Sequence, residues 1–341
     1  MTPEVLLGGV MLAALVLYAL LGGADYGGGI WDLLASGPRR RAQRTLIEHA
    51  IGPVWEANHV WLILVVVLLF TGFPAAFASI STALFLPLTL LLIGIVLRGA
   101  AFTFRTYDHP DDEVQERWGL AFSISSVVTP VILGVVLGAV ASGRAGPGAI
   151  QRADSLAWLS PFTVAVGLFA AALFAFLAAC YLAVEAEGDL RRDFRLRAIG
   201  AGVAVFACAL AVLVLSRAEA PAVFAGLTRR GFTIPLHLAT AVAAVTAFVA
   251  LVLDQVRLAR AAAAAQVALI VLGWGASQYP YVVAPELTLQ AAAAPRATLV
   301  PVLWALGAGA VLLFPALYLL FRVFKGERPF AVVDREERRE R

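Results

Sequence analysis

The chain has 341 residues, 61% of them hydrophobic and only 14% charged, with a formal net charge of +3. An ordinary globular domain is about 45–50% apolar and about 25% charged, so this composition excludes a pair of soluble domains and requires a membrane. The apolar runs far exceed the roughly 9–11 residues of a membrane β-strand, which excludes a barrel, and arginines clustered in short loops give no case for nucleic acid.

From the N-terminus onward, runs of roughly 20 apolar residues predict nine transmembrane helices. They lie near 4–24, 51–71, 77–99, 118–141, 158–183, 198–216, 232–253, 262–280 and 298–322. The fold class is all-α, a polytopic membrane protein of two four-helix bundles plus one peripheral helix. One integral membrane domain covers 1–325, and 326–341 is a charged tail. The first segment has no basic leader region or small-residue cleavage site, so it reads as a retained helix. An outside N-terminus places 20 of the 26 basic residues on the inner side, which satisfies the positive-inside rule and puts the C-terminus in the cytoplasm. Spans one and five open alike, with Thr2-Pro3 and Ser160-Pro161, and both end in acidic stretches. This hints at a four-plus-four repeat, about 1–141 and 158–280, followed by the last helix at 298–322. Cys180 and Cys208 both lie in apolar runs and form neither a disulfide framework nor a metal-binding pair.

Ionisable residues inside a span cost a few kcal/mol on insertion scales, so each needs a reason. Gly22 to Asp32, at the inner end of span one, carries Asp25 and Asp32 among glycines. The stretch from His49 to Leu62, opening span two, carries Trp55, Glu56, Asn58 and His59. His49, Glu56 and His59 are seven and three apart, a spacing that shares one helical face. Glu56 lies roughly 9 Å inside the span at 1.5 Å per residue, where burial favours its protonated form. With Asp25 near the inner mouth and His59 beside it, the pattern fits a proton path from the inner side.

Plainer readings stand beside this. Asp25 and Asp32 also fit a capped or solvated helix end, and His49 an interfacial position. His59 as a haem ligand lacks a bis-His partner, and His237 fits a helix histidine satisfied locally. Arg98 and Arg105, seven apart, fit topology anchors or partners for an acid or an anionic headgroup. Trp31, Trp55, Trp61, Trp118 and Trp158 near span ends fit an interfacial belt. Gly27-Gly28-Gly29 has no phosphate-loop context, so it reads as close helix packing or an unwound turn. No catalytic residue and no metal site is assigned.

Three stretches resemble subunit II of the cytochrome bd-type quinol oxidases: Gly23 to Gly29, Trp55 to Leu62, and Leu97 to Arg105. Tyr181 to Ala198 and Tyr279-Pro280 agree, and the likeness covers essentially the whole chain. The resemblance implies a heterodimer in the bacterial cytoplasmic membrane with a haem-bearing subunit I, which holds two b haems and a d haem. Quinol and O2 are then the substrates of a complex that is electrogenic without pumping. Some members hold a structural quinone in this subunit, and some complexes add a small accessory subunit. The resemblance gives Asp25, Glu56 and His59 a proton-path role, with Asn58, Arg98, Arg105 and Trp55 as structural or interface groups. Members differ between Asp and Glu at position 56. Leu133-Gly134 stands where some have Gln-Gly, which weakens a polar site in span four. The rival from another class is a proton-coupled secondary transporter.

Overall fold

The computed structural model of the chain describes residues 2–51, 55–107, 112–151 and 156–325, and the side chains of Trp55 and Glu56 lie outside the described set. The elements in chain order are α1 (Pro3–Leu33), α2 (Arg40–Ile51), α3 (Trp55–Gly72), α4 (Pro74–Ala83), α5 (Phe85–Tyr107), α6 (Asp112–Ala141) and α7 (Pro147–Gln151). There follow α8 (Pro161–Glu185), α9 (Gly188–Glu219), α10 (Pro221–Thr228), α11 (Thr233–Val252) and α12 (Val256–Gln278). A hairpin of β1 (Tyr281–Val283) and β2 (Leu287–Thr288) leads to α13 (Leu289–Ala292) and α14 (Arg296–Lys325).

The helix starts follow from local chemistry. Helices α1, α4, α8 and α10 all carry proline in the first turn, where its missing N–H has no intrahelical acceptor to lose. Helix α8 adds a capping box: the Thr163 N–H donates to Ser160 Oγ, and the Ser160 N–H donates to Thr163 Oγ1 at 2.9 Å.

Among the described residues eight helices are long and apolar enough to cross a bilayer, namely α1, α5, α6, α8, α9, α11, α12 and α14. The pair α3 and α4, bent by 116°, adds a ninth candidate crossing if the two helices form one broken span. Eight to nine crossings agree with the nine-helix expectation, and among the boundaries that move, two bear on the site. The third span begins at Phe85, later than expected, because residues 74–83 form α4 as a separate helix. Pro74 cannot donate the backbone bond that would continue α3. Ser79 Oγ ties α4 to the Ala145 carbonyl at 2.7 Å. The first span runs on to Leu33 as one unbroken helix through all its glycines, so the unwound-turn reading of Gly27-Gly28-Gly29 is wrong and the packing one is right.

Helices α1, α3, α5 and α6 pack together, as do α8, α9, α11 and α12, and α1 and α6 lie against α8. The α1–α8 crossing is close because Gly27 has no side chain: a Cβ there would fall on the Phe174 carbonyl. The α6–α8 crossing works the same way, since a Cβ at Gly134 would stand 2.6 Å from the Val166 carbonyl oxygen. Helix α14 is peripheral and leaves Trp304 77% exposed. Trp31 and Trp61 are core residues instead of the expected interfacial belt, 8% and 4% exposed. Trp31 donates Nε1 to the Ala175 carbonyl at 2.7 Å, a tertiary bond that anchors it inside.

Candidate functional site: a polar seam in the first bundle

The seam is built from residues at helical spacing on four helices. On α1, Tyr18, Asp25 and Asp32 are seven apart and share a face. On α5, Arg98 and Arg105 repeat that spacing, and on α6, Ser123, Ser126 and Thr129 are three apart. Helix α3 supplies Asn58 and His59 near its start.

Asp25 is 5% exposed and lies eight residues before the end of α1, roughly 12 Å along the axis. The expected glycine-rich mouth is thus the buried interior of a continuous helix. Asn58, 3% exposed, donates Nδ2 to Asp25 Oδ2 at 2.6 Å. The His59 ring sits between two tyrosines, with centroids 6.1 Å from Tyr18 and 5.9 Å from Tyr26. Tyr18 donates its hydroxyl to Tyr26 at 3.3 Å.

Arg98 closes the seam from α5. Its guanidinium lies 4.7 Å from the Tyr26 ring centroid and 5.1 Å from that of Phe122, within cation–π range. Nε donates to Ser126 Oγ at 3.1 Å. The Ser126 hydroxyl in turn donates to the Phe122 carbonyl, satisfying itself within its own helix. The side chain is 1% exposed, so a permanent positive charge is held inside the protein.

Toward the arginine-rich end the seam becomes an ion-pair cluster. Asp32 accepts from Ser123 Oγ at 2.6 Å and from Arg105 Nη1 at 3.2 Å. Its other carboxylate oxygen is 3.8 Å from Arg44 Nε, and Arg105 Nη2 reaches Glu48 at 3.6 Å. These bonds fasten α2 beneath the bundle. A second tie runs from Arg39, which donates Nε and Nη2 to Asp193 at 2.9 and 2.6 Å. The Asp193 carboxylate holds the Arg39 pKa above its ordinary value.

Asp25, Asn58, His59 and Arg98 come together in the seam, and Arg105 joins the neighbouring Asp32 cluster. Glu56 and Trp55 open α3, but their side chains lie outside the described residues. His49 stands apart from the described part of the seam. It lies on α2, described as far as Ile51, with its Nδ1 2.8 Å from the Thr45 carbonyl, and residues 52–54 between it and α3 lie outside the described residues. Tyr18, Tyr26, Ser123 and Ser126 were missed. The period-three hydroxyls of span four and the period-seven Tyr18, Asp25 and Asp32 were the signals that could have found them.

The seam contains a carboxyl, an imidazole and phenols, all of which accept and release protons, beside a guanidinium that does not. The His59 ring lies beside two tyrosine rings, His49 Nδ1 lies against the Thr45 carbonyl, and His237 is exposed on α11. Among the described residues, no group of three metal-ligating side chains converges.

Residues 3–324 match the family "Cytochrome bd terminal oxidase subunit II". The chain is 24% identical over 336 residues to a protein of Bacillus subtilis (strain 168) provisionally named a cytochrome bd menaquinol oxidase subunit II; the match covers 92% of this chain and 93% of that protein. It is 25% identical over 210 residues to cytochrome bd-I ubiquinol oxidase subunit 2 of Escherichia coli (strain K12), covering 60% of this chain and 53% of that one. The fold is similar to a chain in the structure of bd oxidase from Geobacillus thermodenitrificans, with a TM-score of 0.78 at 22% identity, covering 96% and 100% of the two chains.

Proposed function

The chain belongs to the cytochrome bd terminal oxidase subunit II family, and from that premise we propose that its own part in the oxidase is to handle protons and to brace its partner. It is a multi-pass subunit of a quinol-oxidising complex of the bacterial cytoplasmic membrane. In the proposed complex the haem-bearing subunit I takes electrons from quinol and reduces O2 to water, a reaction that consumes protons. This chain packs against subunit I and supplies those protons from the arginine-rich, cytoplasmic side through Asp25, Glu56 and His59. Arg98 sets the field along the route with its guanidinium.

The observation that carries this reading is the buried Asp25 carboxyl held on Asn58 inside an unbroken helix. A packing role does not call for an acid there, since an apolar residue would insert at lower cost. The same continuity of α1 argues against a secondary transporter, whose sites are typically built at discontinuous helices.

The test is oxygen consumption by the intact complex carrying Asp25→Asn or Glu56→Gln, with assembly checked by its haem absorbance. Each variant is expected to slow turnover roughly 100- to 10,000-fold, the usual contribution of a positioned proton-transfer group. Asp25→Glu restores part of the rate. Near-normal turnover in an assembled complex with both variants would overturn the proton role and leave only the bracing one.

A further inference from the structure

At the arginine-rich end of α9 lies a cavity of about 340 Å³, lined by Asp189, Arg191, Arg192, Arg195, Leu196 and Asp254 among others and by none of the seam residues Asp25, Asn58, His59 and Arg98. That volume falls within the range of small-ligand pockets. Its charges are unevenly matched. Asp189 pairs with Arg39 at 3.5 Å and Asp254 with Arg195 at 3.0 Å. Arg195 is fully engaged, since Nε and Nη2 also donate to the Leu251 carbonyl at the end of α11. Arg191 donates only Nε, to the Ala186 carbonyl, and Arg192 is exposed and makes no ion pair among the described residues. Two guanidiniums therefore face the cavity with their charge uncompensated.

The surroundings decide what anion suits them. The arginines stand just where the apolar run of α9 begins. Leu196, Val203 and Phe206, at helical spacing on one face, are 61%, 58% and 73% exposed. A site with a basic head and an apolar wall running into the bilayer fits a phosphodiester attached to acyl chains better than a free anion. We propose that this cavity binds the phosphate head group of an anionic phospholipid from the leaflet at the arginine-rich end, held by Arg191 and Arg192 with its chains along α9.

The experiment uses the detergent-purified protein with the subunit that co-purifies, and counts bound lipid by native mass spectrometry. It is titrated with phosphatidylglycerol, with phosphatidylcholine and, separately, with phosphatidylglycerol against inorganic phosphate. The expected result is preferential retention of phosphatidylglycerol, with the tightest step weakened roughly 30-fold by Arg191→Gln/Arg192→Gln, the fold-change for about 1 kcal/mol per arginine. The Arg191→Lys/Arg192→Lys protein keeps most of the binding and controls for folding. An equal loss in Arg257→Gln/Arg260→Gln, exposed arginines at the same end outside the cavity, would overturn the site in favour of diffuse charge. Displacement by inorganic phosphate would overturn the lipid assignment, and no loss in the Gln pair would overturn the proposal outright.

Discussion

The two bundles use the same architecture for different interiors. Among α1, α3, α5 and α6 the buried set includes Asp25, Asp32, Asn58 and Arg98. Helix α8 buries an almost continuous run from Leu173 to Ala183 that is entirely apolar or weakly polar. Apart from Gln266, the buried polar residues of α8, α9, α11 and α12 lie near helix ends, as Ser160, Thr163, Ser216, Thr233, Ser277 and Gln278 do, and none is charged. Buried ionic groups seldom improve stability over apolar ones of the same shape. The first bundle thus carries a cost that the second avoids. The second bundle is the rigid wall against which the first is set.

The strongest way to break this division is to force the wall and the seam apart. Gly27→Val places side-chain atoms where the Phe174 backbone carbonyl stands, and a backbone group cannot rotate away as a side chain can. The expected cost is about 3 kcal/mol, at the upper end for overpacking, read as a large fall in the thermal midpoint of the purified complex. A normal midpoint would mean that the α1–α8 contact is not what fixes the seam.

A smaller effect is expected at the end of the seam. Asp32→Asn removes the charge that Arg105 and Arg44 share, while Arg105 keeps Glu48 and partial contact with water. Losing one partner of a fully buried pair costs about 3–5 kcal/mol. The remaining partner and the exposure reduce this to about 2 kcal/mol, measured by the same melt. Turnover per assembled complex is expected to stay within about twofold, because α2 is fastened there by structure alone. A tenfold fall in turnover with an unchanged midpoint would extend the proton route to Asp32.

How far the sequence could anticipate this depends on what hydropathy measures. Run length showed the crossings well, since the bilayer thickness sets it. Period-seven spacing placed Arg98 and Arg105 on one face. Direction within the membrane was not legible, because lipid and protein interior are equally apolar. Trp31 and Trp61 therefore read as belt residues although they are core, and Trp304, on the exposed face of α14, gave no hint of its position. The Asn58–Asp25 bond joins residues 33 apart on different helices, and no local pattern encodes which faces meet. Glycine also misled in one respect, since it allows both a break and a close crossing, and only Phe174 across the interface settles which.

The smallest stability effect is expected where the buried charge itself is removed. Arg98→Met keeps length and flexibility while discarding the guanidinium. Lost with it are two ring contacts, each about 0.5–2 kcal/mol, and the bond to Ser126. Gained is relief from holding an ion at 1% exposure with Nη2 lacking a hydrogen-bond partner among the described residues. Ser126 stays satisfied by the Phe122 carbonyl, so no hydroxyl is orphaned. The opposing contributions leave a net change of about 1 kcal/mol or less in the melt, while turnover falls about tenfold because the field on His59 and Tyr26 is gone. That separation is the sharpest form of the contrast between the bundles: a residue nearly neutral for folding and costly for rate. If Arg98→Met instead melts far earlier and each surviving complex turns over normally, the charges of the first bundle are scaffolding, and the two halves differ in composition alone.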